Sequence, residues 1–309
     1  MHPIKPILAA SVAALCLSAA PSVSALNLIA DYTDSSVSSG IWQSAGGQLF
    51  SADPGNGALN VTAAFKANVS AAFTYISNSV KVSRDLTVTF KLHDFTGQGA
   101  DGDSSITSVY NSNGLPASST IRLDSSIGSQ FYVDPTPFNN SEYNLSFVNA
   151  PLGGGMVNVG RFGTAVVGSV AENRTDVLTL LTHELIHSTA LGADTPEGML
   201  NRKLTIPSSL TGLPSNFNLP FISGSNHIDP FAMGATFAHT VTSEPSFGNN
   251  DRWLLTGVEI YGICVIQLCT ASEVNPNLLA AVPEPSAWLL MVCGLGLVAA
   301  LRRRRQPQV

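Results

Sequence analysis

The sequence predicts an α+β domain, and three features carry that reading. Two segments repeat apolar residues at helical spacing, one alternates them at the period of a half-buried strand, and a long stretch before residue 250 is rich in Pro, Gly, Ser and Asn. Charged residues make up only 12% of the 309-residue chain, against 44% hydrophobic residues and 26 Gly. That balance suits strands and loops around one sizeable core, and it excludes a coiled coil or a charged disordered tail.

Residues 1–25 have the three parts of a secretory signal. Lys5 supplies the positive end, residues 7–20 are small and apolar, and Val23, Ser24 and Ala25 place cleavage after Ala25. The domain proper is then residues 26–281, opening with short apolar pieces in a Ser/Gly-rich stretch. Residues 60–80 read as an Ala-rich helix, with Phe65, Val69, Ala72, Phe73 and Ile76 on a broad apolar face. Residues 85–92 set Leu86, Val88, Phe90 and Leu92 against Thr87, Thr89 and Lys91, a strand with one buried face. Residues 119–123 and 155–160 are further strands. Asp94, Asp101 and Asp103 lack the closing Glu of a calcium loop and read as a solvated loop.

Residues 173–191 return to helical spacing through Val177, Leu178, Leu181, Leu185 and Ile186. Asn173 is the expected cap, with Asp176 three residues on completing a capping box. Gly192 and Pro196 end the helix. Loops then run to about residue 250, and a last amphipathic stretch near 251–265 carries Trp253, Leu254, Leu255, Val258 and Ile260.

At the C-terminal end, Val282, Pro283, Glu284 and Pro285 precede sixteen uncharged residues, 286–301, and then Arg302, Arg303, Arg304 and Arg305. As a helix the apolar run spans about 24 Å, short of the roughly 30 Å hydrocarbon core, and the arginines keep their end cytoplasmic. This order resembles the PEP-CTERM sorting signal of Gram-negative bacteria. The resemblance implies that residues 282–309 are a removable tail with an exosortase-type processing enzyme as partner. It also implies only transient membrane contact, through the C-terminal helix at the inner membrane, on the way to the cell surface or extracellular matrix.

Over residues 26–285, ten basic residues face 21 acidic ones, a net charge of −11. Such a body repels phosphate backbones, which excludes nucleic acid as a partner. Of the four cysteines, Cys16 lies in the signal and Cys293 in the tail. Cys264 and Cys269 remain, and an oxidising compartment favours a disulfide between them.

The helix at 173–191 contains His183-Glu184-Leu185-Ile186-His187. Positions i and i+4 lie above one another on a helix, so both imidazoles reach one ion. Zinc accepts neutral ring nitrogens and, with three protein ligands, keeps a position open for water. Glu184 lies about 100° round the helix, displaced from a ligand's place. It is placed to take a proton from metal-activated water and to return it to a leaving amine. Random order of this composition yields the pattern in roughly 0.003 of chains, so two incidental histidines explain it poorly. A third ligand is needed. His93, His227 and His239 are the other histidines of the domain, and Asp194 or Glu197 would complete a His-His-carboxylate set.

With Ser225-Asn226-His227-Ile228-Asp229-Pro230-Phe231-Ala232-Met233-Gly234 downstream, the arrangement resembles the metzincin superfamily, and leishmanolysin-like zinc proteases in particular. There an insertion separates the third histidine from the helix, and a Met-containing turn lies beneath the metal. The resemblance implies a metzincin-like zinc protease domain: a twisted mixed sheet, an active-site helix and an irregular C-terminal half. On it, His183, His187 and His227 bind Zn2+, Glu184 is the general base and Met233 forms the turn. The cleft then lies beneath a sheet edge, where an extended peptide adds as a strand. In one place the chain departs from the family. Ala190 stands where a Gly is usual, three residues after the second His, and Gly192 follows, so the helix is expected to run slightly longer.

The implied function is an exported zinc-dependent endopeptidase acting on a protein or peptide substrate. The alternative is a surface or matrix adhesion module with a structural or decayed zinc site. A purely structural site has no need for Glu184 between the ligands, which favours the peptidase.

Overall fold

The computed structural model describes residues 26–32, 41–44, 47–52, 59–93, 95, 101–109, 115–124, 131–192, 202–223, 225–243 and 248–276. The expected signal segment, the tail with its apolar run, and Asp94, Asp194 and Glu197 lie outside the described residues.

Strand β1 (Leu26–Asp31) is followed by an antiparallel unit of β2 (Ile41–Ser44), β3 (Gly47–Ala52) and β4 (Leu59–Val61), then by helix α1 (Ala63–Ser79). Next come β5 (Arg84–His93), β6 (Gly102–Val109) and β7 (Pro116–Asp124). The main sheet has the order β1-β5-β7-β6. Its first three strands are parallel, and β6 runs antiparallel at the edge. On β5 the expected alternation appears as buried Leu86, Val88 and Phe90 between half-buried threonines. Helix α1 starts three residues later than its apolar pattern allows, because residues 59–61 pair with β3. Its cap is Thr62, whose side chain accepts the Phe65 N–H at 3.2 Å. Its face of Phe65, Val69, Ala72 and Ile76 is buried against β1 and the second long helix.

The second half is built on β8 (Phe131–Tyr132), the hairpin of β9 (Tyr143–Leu152) and β10 (Gly155–Ala165), and β11 (Thr175–Asp176), which leads into α2 (Val177–Ser188). Beyond it lie the antiparallel pair β12 (Lys203–Ile206) and β13 (Phe217–Pro220), then β14 (Asp251–Trp253) and α3 (Gly257–Ile266). Two expectations are corrected here. The amphipathic stretch near 251–265 is not one element: its first residues pair with β10 as β14, and the helix begins only at Gly257, capped by Thr256. Asn173 is not the cap of α2, since it sits in a left-handed turn at φ +60°. Asp176 is the N-cap, accepting the Thr179 N–H at 3.0 Å.

Arg252 explains that choice. Its fully buried guanidinium binds both Asp176 oxygens, at 2.7 and 3.1 Å, and lies 2.8 Å from Asp134. All twelve residues of α2 are buried, which makes it the central helix of the core. Two of its hydroxyls are satisfied within the helix, with Thr182 donating to the Leu178 carbonyl and Ser188 to that of Glu184, while the Thr179 hydroxyl donates to the Asp176 cap. Cys264 and Cys269 form the expected disulfide, across the turn that ends α3.

Candidate metal centre

His183 and His187 project from one face of α2, with their Nε2 atoms 3.1 Å apart. His227 reaches them from a tight loop whose ends are tied by the Phe221–Ile228 bridge and by the Ile222 N–H donating to the His227 carbonyl. Its Nε2 also lies 3.1 Å from that of His183. Among the described residues these three form the one group of His, Cys, Asp or Glu side chains whose ligand atoms share a point for a metal.

The hydrogen bonds behind the rings decide what the two helical nitrogens are doing. His183 Nδ1 lies 2.8 Å from the Val241 carbonyl, and His187 Nδ1 lies 3.1 Å from the Leu191 carbonyl. A carbonyl only accepts, so both Nδ1 atoms carry the proton and both Nε2 atoms present bare lone pairs. His227 Nδ1 meets Ser225 Oγ at 2.6 Å, which orients the third ring. Burial, helped by the neighbouring histidines, holds the His183 pKa well below its ordinary value. Burial lowers His187 to about 4, and burial with His187 nearby lowers His227 to about 4. The rings are therefore neutral at neutral pH. Lone pairs facing each other at 3.1 Å repel unless a cation lies between them. Four-coordinate zinc at 2.0–2.1 Å sets its nitrogens roughly 3.3–3.4 Å apart, close to what is seen. The donor set fits such an ion.

Glu184 is buried, and Oε1 lies 3.9 Å from His183 Nε2. With a neutral imidazole this is not an ion pair; the carboxyl simply lies beside the point where the nitrogens converge. Burial pushes its pKa up to about 8, the nearby Asp103 adds to that, and a hydrogen bond from the Ser104 side chain opposes it. Both neighbours belong to β6, which packs against α2. Asp103 is itself paired with Arg122.

The other expected residues fall elsewhere. His239 stacks on Phe162 at 4.2 Å between centroids, and half-buried His93 packs edge-on to Phe95 at 4.6 Å. Met233 does not floor the site. It is 64% exposed, in a turn where Met233, Gly234 and Ala235 all have positive φ. The segment supporting His183 is instead the buried run Thr240, Val241, Thr242 and Ser243, which no local pattern singles out.

The helix does not run long either. It ends at Ser188, and Ala190 takes the left-handed conformation at φ +68°. Ala190 thus makes a turn that glycine makes without strain. Replacing Ala190 with Gly is expected to stabilise the fold by about 0.5–1 kcal/mol, read as a rise in thermal midpoint; a lower midpoint would contradict the strain. Two residues on, Gly192 lies against the His227 loop, where an added Cβ would meet the Asn226 carbonyl at 2.9 Å.

Residues 281–305, beyond the last described residue, match the PEP-CTERM protein-sorting motif. The chain carries an exosortase-type sorting signal. Such a signal marks an exported protein whose C-terminal segment is recognised by a processing enzyme. No curated protein and no solved structure matches the chain.

Proposed function

We propose that the domain is an exported zinc-dependent endopeptidase, with His183, His187 and His227 as metal ligands and Glu184 as general base. The observation that carries this reading is the convergence of three neutral Nε2 atoms with a buried carboxyl beside them. Zinc, when bound, polarises a peptide carbonyl and lowers the pKa of a coordinated water towards 7. The Val241 and Leu191 carbonyls and Ser225 hold the rings at fixed angles, so the ligands need little reorganisation. A cation held by the three rings favours the carboxylate form of the neighbouring Glu184, which takes a proton from the attacking water and delivers it to the leaving amine. Ser104 fixes the carboxyl for that transfer.

The sheet supports a peptide substrate. Strand β6 pairs only with β7 among the described residues, and its residues 105–109 are exposed. An extended chain adding to this edge lies along the strand that carries Ser104. A mixed sheet packed on the metal helix, with an edge where a peptide can add, is also what the metzincin resemblance implies. The sorting signal supports delivery to a Gram-negative cell surface or its matrix.

The test is cleavage of an unstructured polypeptide by the purified chain. Cleavage is expected, is abolished by a chelator and returns with added zinc. A folded, zinc-loaded chain that leaves such substrates intact would instead favour a surface module.

A further inference from the structure

We propose that Glu259 is a positioning residue for the metal centre, holding through one peptide group the carbonyl that orients His183. This rests on the three histidines being metal ligands. Glu259 lies in the first turn of α3 and is fully buried, and its carboxylate bonds two threonines rather than an imidazole. Its two oxygens divide the work. Oε2 accepts the Thr256 N–H at 2.9 Å and the Thr256 hydroxyl at 2.6 Å, which caps α3. Oε1 accepts the Thr242 N–H and the Thr242 hydroxyl, both at 2.8 Å.

The Thr242 N–H and the Val241 carbonyl are the two ends of one peptide unit. That carbonyl accepts the proton of His183 Nδ1 at 2.8 Å. The connection therefore runs carboxylate, peptide N–H, peptide C=O, imidazole N–H, with Nε2 facing the metal position at its far end. A hydrogen bond to one end of a peptide group strengthens the bond made at the other. A carboxylate on the N–H thus makes the carbonyl a better acceptor, which fixes the imidazole and raises the basicity of Nε2. Carboxylates bonded directly to metal-ligating histidines act in this way, and here a peptide group stands between the two. The Thr242 carbonyl accepts the Ile228 N–H at 3.0 Å, so the residue held by Glu259 also anchors the chain next to His227. Burial raises the Glu259 pKa, while backbone and hydroxyl donors on both oxygens pull it down and favour the ionised form.

A merely structural Glu259 would matter only as a helix cap, and two substitutions separate these roles. Thr256→Ala removes the capping hydroxyl and leaves the Thr242 side intact. Thr242→Val removes the hydroxyl on the other side and leaves the cap. Zinc affinity of the chain, measured by competition with a chromogenic chelator alongside the thermal midpoint, is the readout. Glu259→Gln is expected to weaken zinc binding about 10–100-fold and Thr242→Val about tenfold, with recovery in Thr242→Ser. Thr256→Ala is expected to lower the midpoint and to change affinity less than about threefold. Unchanged affinity in Thr242→Val, or equal losses in Thr242→Val and Thr256→Ala, overturns the proposal. If Glu259→Gln does not fold, the two threonine variants decide. A wild-type chain that takes up no zinc overturns the ligand reading itself, a result distinct from either.

Discussion

Replacing Glu184 with glutamine is expected to leave zinc bound and to lower the rate of peptide cleavage by about 10²–10⁴-fold, the usual worth of a positioned general base. The substitution keeps the shape and one acceptor oxygen, so the Ser104 contact survives while the group loses its ability to take a proton. Glu184 is not one of the three converging ligands, and its carboxyl stands 3.9 Å from His183 Nε2. Metal content should therefore match wild type, measured by elemental analysis beside the rate on one labelled polypeptide. Loss of zinc in the variant would make Glu184 a ligand. An unchanged rate would remove it from the chemistry, and equal function of both proteins on a surface would favour an adhesion module.

Replacing Arg252 with alanine is expected to destabilise the domain by about 3–5 kcal/mol, the cost of breaking a buried ion pair from one side. The guanidinium is fully buried, bidentate on Asp176, close to Asp134, bonded to Asn140 and 4.3 Å over the Tyr143 ring. Its removal leaves two buried carboxylates facing each other without the cation. One of them, Asp176, caps the helix that carries the metal ligands, so α2 loses its anchor at the same stroke. Urea unfolding of metal-free protein measures this without a contribution from zinc. A loss below about 1 kcal/mol would mean that the network does not hold the helix in place.

The difference between what the sequence disclosed and what it concealed is one of range. Strand β5 and the apolar face of α1 were legible because period-2 and period-3.6 patterns are local. The two helical histidines were legible for the same reason: a spacing of four residues already puts them on one face. The cap of α2 was not, because Asn173 and Asp176 both suit that position and the choice is made by Arg252, 76 residues away in the chain. Likewise β14 reads as part of one amphipathic stretch with the residues after it until β10 offers it hydrogen bonds. His227 was reachable only through a family resemblance, since a loop of this kind has no periodicity. Met233 misled because a methionine in a glycine-flanked turn looks alike whether it faces a metal or solvent. Glu259 carries one local signal, a Thr three residues before a Glu at the start of an apolar helix. That signal locates the cap; only the fold shows that the second oxygen reaches Thr242.

The measurement that bears most directly on this account is the zinc content of the purified chain, by elemental analysis after extensive dialysis, beside a His227→Ala variant. The account predicts about one zinc ion per wild-type chain and almost none in the variant. A folded wild-type chain that holds no zinc, and takes up none when it is supplied, would contradict it.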